Sequence, residues 1–224
     1  PVRLLGPRLT MPDGAAGGGV ASVVVAAGLG NIGSVVNMCR RLNVHPTVSD
    51  DPDLVRGAGR LLLPGVGAFD VSMAALVERG LDDAIREAAA AGTPILGICL
   101  GMQLLFDASE EGTSEGLGLI PGTVRRLAEV SPHGPVSIPH MGWSRMEAHG
   151  THPLLDGLDE DARYYFVHSY AAVPRDERHV IGSSIHGSPF VSAVARDNVL
   201  GVQFHPEKSH RYGKALLANY LKDG

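Results

Sequence analysis

A cysteine framed by glycines at the end of an apolar run restricts the folding of this chain more than any other feature. Pro94-Ile95-Leu96-Gly97-Ile98 leads straight into Cys99, and Leu100-Gly101-Met102-Gln103-Leu104-Leu105-Phe106 continues with helical character. A strand that turns into a helix this sharply needs glycine on both sides, because ordinary side chains clash there. The sulfur then points into open space at a helix start, where partial positive charge favours the nucleophilic thiolate. A free cysteine is more often a small buried apolar residue. Cys39, in Val35-Val36-Asn37-Met38-Cys39 with no glycine frame, reads that way.

Cys99 reads as a nucleophile because the chain also holds a base for it. His205-Pro206-Glu207 closes the last strand-like run. Histidine takes and returns a proton near neutrality. Glu207 lies two residues on, which is the same side of an extended chain. There it receives the second imidazole N–H and holds the tautomer. Attack on a carbonyl also calls for oxyanion donors. The amide of Leu100 is one, and Pro64-Gly65-Val66-Gly67 offers that of Val66 or Gly67. An α/β-hydrolase places its acid between the nucleophile and a distant histidine. Here the histidine and the acid share one triplet, so that arrangement does not fit.

Periodicity supplies the scaffold. Strand patterns at 20–26, 45–48, 61–63 and 94–98 alternate with helical patterns at 32–42 and between 71 and 91, the latter broken at Gly80. This predicts an α/β fold with a mostly parallel central sheet covered by helices on both faces. Short β-like runs follow at 122–127, 164–167, 180–185, 191–195 and 199–204, then a closing helix at 209–221. They predict additional antiparallel strands in the second half. Ligands bind beyond the carboxyl ends of such parallel strands. Gly28-Leu29-Gly30-Asn31, Pro64-Gly65-Val66-Gly67, Cys99 and His205 all fall at such ends. Residues 1–19 lack apolar periodicity, end in three glycines and have no long apolar centre like that of a secretory signal. They are expected to form a flexible extension or leader ahead of one domain at 20–224.

Charge and cysteine usage narrow the function. The net charge is −5 and no basic run exceeds Arg40-Arg41 or Arg125-Arg126, so nucleic acid is not an expected partner. No apolar stretch is long enough to span a membrane. Two cysteines form neither a metal knuckle nor a disulfide scaffold, which points to the cytoplasm. His149-Gly150-Thr151-His152 mimics a metal-binding pair, but its glycine disfavours a helix. No metal and no cofactor is expected.

GICLGMQ at 97–103 and GVQFHPEK at 201–208 resemble the triad, class I glutamine amidotransferases. LPGVGAF (63–69), IPHMGW (138–143) and YYFVHSY (164–170) are similar, within that family, to glutaminase subunits of imidazole glycerol phosphate synthase, an enzyme of histidine biosynthesis. The resemblance implies a flavodoxin-like fold in which Cys99, His205 and Glu207 hydrolyse glutamine through a thioester. Val66, Gly67 and Leu100 remain the oxyanion candidates, and the resemblance assigns Gly67, Gln103, Glu111, Ser169 and Tyr170 to glutamine binding. It also implies a heterodimer with a (β/α)8-barrel cyclase subunit that receives the ammonia, faced by Asn31, Trp143, Tyr165 and Lys208.

Taken singly, these residues have plainer readings: Trp143 as core, Gln103 as surface, Glu110-Glu111 as a solvated acidic pair, Ser169 and Tyr170 as a strand end. The family's first loop often carries Asp-Tyr-Gly and a later arginine, and 26–34 lacks both. Two alternatives stay open. The amidotransferase subunit of anthranilate or aminodeoxychorismate synthase shares the elbow and the triplet, but is not expected to carry IPHMGW or YYFVHSY. A non-catalytic regulatory module on this fold would have lost at least one of the three groups.

Overall fold

The computed structural model describes residues 22–28, 32–128, 130–131 and 134–222. The expected extension at 1–19 and Asn31 lie outside them. The first half runs β1 (Ser22–Val25), α1 (Ile32–Arg40), β2 (Thr47–Ser49), α2 (Pro52–Arg56), β3 (Arg60–Gly65), α3 (Phe69–Glu78), α4 (Leu81–Ala90), β4 (Ile95–Cys99) and α5 (Leu100–Leu104). The second half is strand-rich: β5 (Ala108–Ser109), β6 (Gly122–Arg126), β7 (Val130–Ser131), β8 (Gly134–Pro135), β9 (His140–Arg145), β10 (Glu147–Ala148), β11 (Arg163–His168), β12 (Tyr170–Pro174), β13 (Val180–His186), β14 (Ser188–Arg196) and β15 (Val199–Val202). Helix α6 (His210–Leu221) ends it.

The main sheet has the order β2-β1-β3-β4-β15-β14-β12-β6-β5, with β13 beside β14 and β10 against β13. Pairing is parallel from β2 to β15 and antiparallel from β15 through β14 and β12 to β6. The expected α/β architecture is therefore the one observed. Strands β9 and β11 form a separate antiparallel ribbon.

Alternation along the buried strands sends side chains into two cores. Val23, Leu61, Leu63 and Ile95 pack with Phe69, Leu76 and Ile85 of α3 and α4. Val24, Leu62, Leu96 and Ile98 pack on the other face with Val35 of α1 and Leu216 and Leu217 of α6. Each fully buried side chain of this size stabilises by about 1.5–3 kcal/mol, which is how three-to-six-residue strands persist.

Some elements escaped the periodicity. Helix α2 is short and relies on its cap: Asp51 accepts from the Asp53 amide, and Pro52 occupies the first turn. Strand β9 interrupts its pattern with Gly142, and β12 follows β11 after a single residue. The strand expected at 199–204 ends at Val202, with the Gln203 amide still donating to the Ser192 carbonyl of β14. Gly80 separates α3 from α4 in the left-handed region at φ 65°.

The turn from β4 into α5 depends on close backbone packing. A Cβ at Gly101 would collide with the Leu63 carbonyl, and one at Gly97 would lie 2.6 Å from the Gly101 oxygen. Gly101→Ala is therefore expected to cost about 3 kcal/mol in urea unfolding, as overpacking does. Gly33→Ala, at an exposed position of α1 with nothing within 4 Å of the added carbon, is expected to gain about 0.5–1 kcal/mol.

Candidate active site

Three parallel strand ends meet at one place. Gly65 of β3 pairs with Cys99 of β4, and Val202 of β15 pairs with Ile98. Cys99 closes β4 at φ 56°, ψ −113°, a conformation rare for a residue with a side chain. The positive φ thus falls on the cysteine itself. Gly97 and Gly101 are absent from the positive-φ residues and serve instead to let backbones approach. Such strain costs on the order of 1–3 kcal/mol and persists only where packing imposes it.

His205 follows β15 by three residues and is pinned through its backbone. Its amide donates to the Tyr165 carbonyl at 2.9 Å, and its carbonyl accepts from Ser209 Oγ at 2.6 Å. Ser209 Oγ in turn accepts from the Tyr165 amide. The imidazole Nδ1 donates to Glu207 Oε1 at 2.8 Å, and both side chains are only 2% exposed. The expected pairing holds, but through the first turn of a 3-10 helix (Pro206–Lys208) rather than an extended chain.

Nε2 of His205 is buried without a hydrogen-bond partner. Burial alone would lower the pKa of this ring. Its interactions with Cys99 and Glu207 more than reverse that and hold it at about 9. The imidazole therefore carries its proton at neutral pH beside the sulfur. Cys39, by contrast, is wholly buried in the core, where desolvation pushes its thiol up to about 11.

A cavity of about 290 Å³ opens over Cys99 and His205. Val66, Gly67, Leu100, Gln103, Glu111, Ser169 and Tyr170 line it, and Glu207 stands behind His205. Glu111 is fixed there by the Phe69 amide, which donates to Oε2 at 3.0 Å. Gln103 donates from Nε2 to the Tyr170 carbonyl and to Gln203 Oε1, both at 3.0 Å. With both amide hydrogens committed, Gln103 has only its oxygen left to offer a ligand. Of the ribbon, Val167 and His168 line this cavity, whereas Trp143, Tyr165 and Lys208 are not among its lining residues. Trp143 is 43% exposed, not core, stacks on His210 at 5.3 Å and meets Tyr165 edge-on at 5.8 Å. Lys208 Nζ lies 5.9 Å from the Tyr165 ring centre.

Residues 23–223 match the glutamine amidotransferase class-I family. The chain belongs to that family. Within it, the chain is 48% identical over 200 residues to the imidazole glycerol phosphate synthase subunit HisH of Sulfurimonas denitrificans, covering 89% of this chain and 96% of the relative. The HisH subunit of Geobacillus thermodenitrificans is 49% identical, covering 88% and 93%. Among solved structures, a glutamine amidotransferase superposes with TM-score 0.65 at 22% identity, covering 89% of this chain and 96% of the other. PurLQS from Thermotoga maritima gives 0.67 at 20% identity, covering 91% and 100%. At such identities the likeness establishes the amidotransferase fold alone.

Two features of this amidotransferase site were not singled out from sequence. One is a buried histidine pair. His168 lines the cavity, with Nδ1 2.8 Å from the Tyr170 carbonyl and Nε2 3.2 Å from His140 Nδ1; His140 Nε2 lies 3.0 Å from Ser144 Oγ. A carbonyl only accepts, so Nδ1 of each ring carries the hydrogen and Ser144 donates. Burial holds His168 down to about 3 and His140 to about 4, so both are neutral. The other is Gln203, fully buried, with Nε2 3.8 Å from Cys99 Sγ. Both histidines sit in quoted motifs, and a lone glutamine inside Val199-Leu200-Gly201-Val202-Gln203-Phe204 was the available signal. His152, of the mimicked metal pair, instead accepts from the Leu154 amide and caps a short helical turn.

A ring-proton NMR titration of His205 is expected to show a midpoint near 9. Glu207→Gln removes an interaction that raises it, so the midpoint is expected to fall and the charged ring to be lost at lower pH.

Proposed function

We propose that this chain is the glutaminase subunit of imidazole glycerol phosphate synthase, with Cys99, His205 and Glu207 as its triad. The observation that carries the reading is the buried Cys99–His205–Glu207 constellation opening on a cavity of amino-acid size. The 48% and 49% identical HisH relatives favour it over a chorismate-utilising partner. Retention of all three groups disfavours a non-catalytic module.

The sulfur of Cys99 attacks the side-chain amide carbon of glutamine, and the carbonyl π electrons move to oxygen. The amides of Leu100 and of Val66 or Gly67 receive that oxyanion. As it collapses, the C–N bond breaks and the imidazolium of His205 gives its proton to the leaving nitrogen, which departs as ammonia. Neutral His205 then takes a proton from water, whose oxygen displaces the thiolate and releases glutamate. Glu207 keeps the ring in the tautomer that presents Nε2. Glu111 and the oxygen of Gln103 suit the α-ammonium of glutamine, with Ser169, Tyr170 and Gly67 completing the pocket.

Ammonia passes to a (β/α)8-barrel cyclase in a heterodimer. Trp143, Tyr165 and Lys208 face that partner, with Asn31 outside the described residues. Half-exposed aromatic side chains beside a cation support such a face. In the same reading the cyclase's nucleotide ligand reorients the Val66 peptide and turns the glutaminase on. Two free cysteines are compatible with the reducing cytoplasm, where we place the protein. No helix among the described residues is long and apolar enough to cross a membrane.

Glutamate release is to be measured in complex with the cyclase and its nucleotide ligand. Cys99→Ala is expected to lower it by about four orders of magnitude or more, with cyclase turnover on free ammonium intact. Glutamine turnover indifferent to the nucleotide would contradict the coupling. Because acylation consumes the His205 proton, kcat/KM for glutamine is expected to fall as pH rises through about 9.

A further inference from the structure

Cys99 has two polar neighbours besides His205, and they act in opposite senses. The Val167 carbonyl lies 3.9 Å from Sγ and is an acceptor. It suits the neutral thiol, whose hydrogen it takes, and repels a thiolate. The Gln203 side-chain nitrogen lies 3.8 Å from Sγ and is a donor, which suits the thiolate. Which end of Gln203 faces the sulfur therefore matters, and the surrounding network decides it.

The decision starts from a backbone carbonyl. Tyr170 C=O only accepts, so the Gln103 group 3.0 Å from it is the amide nitrogen. The second hydrogen on that nitrogen meets Gln203 at 3.0 Å, so the Gln203 atom there is the oxygen. Turning Gln203 over would set two donors against each other in a site where both side chains are buried, Gln103 at 4% and Gln203 at 0% exposure. Gln203 therefore presents N–H to the sulfur. His168 Nδ1–H donates to the same Tyr170 carbonyl at 2.8 Å and fixes it from the other side.

We propose that Gln203 is a further catalytic residue, whose amide N–H, oriented through Gln103 by the Tyr170 carbonyl, holds Cys99 in its thiolate form. The inference rests on Cys99 being the nucleophile of the proposed glutaminase. Its direct readouts follow the sulfur rather than glutamine, so they stand or fall separately from that reading.

The test uses the full chain and iodoacetamide, with modification at Cys99 followed by peptide mass spectrometry as a function of pH. Gln203→Met keeps the length of the side chain and removes the N–H. Its expected result is a Cys99 alkylation inflection at higher pH and a rate at pH 7 lower by about tenfold. In the complex, kcat for glutamine is expected to drop with KM little changed. A folded Gln203→Met protein with the wild-type alkylation profile overturns the proposal. Where that variant does not fold, the wild-type protein answers alone. The side-chain amide protons of Gln203 are expected to shift in NMR spectra in step with the Cys99 inflection and to lose that response after alkylation. Amide resonances that do not titrate with the sulfur overturn the proposal equally.

Discussion

The first turn of α5 packs on the end of β3 at backbone-to-backbone distance. A Cβ at Gly65 would lie 2.6 Å from the Gly101 nitrogen, and a Cβ at Gly101 would run into the Leu63 carbonyl. Glycine at both positions lets helix and strand lie against each other without intervening side chains, and Cys99 is held between them. Its positive φ is the geometric result: the chain has one residue in which to turn from the direction of β4 to that of α5. Strain on the order of 1–3 kcal/mol is small beside the fully buried strand residues Leu62, Leu63, Ile95 and Leu96 around it, each contributing about as much. The elbow survives because packing on both faces of the sheet leaves the cysteine no other conformation.

Parallel register carries this local constraint to the rest of the site. Strands β3, β4 and β15 are neighbours, so the glycine turn after β3, the sulfur at the end of β4 and the histidine after β15 emerge side by side. The histidine needs more than register, since β15 ends three residues earlier. Tyr165 and Ser209 supply it through hydrogen bonds to the His205 backbone. The ring is thus set by a strand outside the main sheet, while its charge is set by Cys99 and Glu207 against the pull of burial.

Legibility in the sequence followed the range of the forces involved. The strand-glycine-cysteine-glycine-helix pattern is local, and so is the two-residue spacing of His205 and Glu207. Both could be read directly, although the reason for Gly97 and Gly101 is a long-range approach to β3. Most of the parallel half of the sheet was legible because β1, β3 and β4 are continuous buried runs rich in apolar residues. Strand β9 was not, because it alternates buried His140 with exposed Met141 and Trp143 around a glycine, and its stability comes from pairing with β11. Gln203 and the His140–His168 pair were illegible as functional groups for a similar reason. Each acquires its meaning from partners far away in sequence: Gln203 from Gln103 and Cys99, and His140 and His168 from each other across the ribbon.

The β9–β11 ribbon has two unlike sides. Its outward side carries Trp143 and Tyr165, half-exposed and in contact, which the proposed assembly turns toward the partner. Its inward side carries His140, Phe166 and His168, packed together as rings 4.9–5.7 Å apart. The same ribbon holds the His205 amide through the Tyr165 carbonyl and ends at Val167 and His168, which wall the cavity. The ribbon is a sheet separate from the main one, and it reaches the site through the Tyr165–His205 bridge and the Val167 carbonyl beside the sulfur. The elbow and the histidine are thus held by different elements, Cys99 by the parallel ladder of the main sheet and His205 by the ribbon and Ser209.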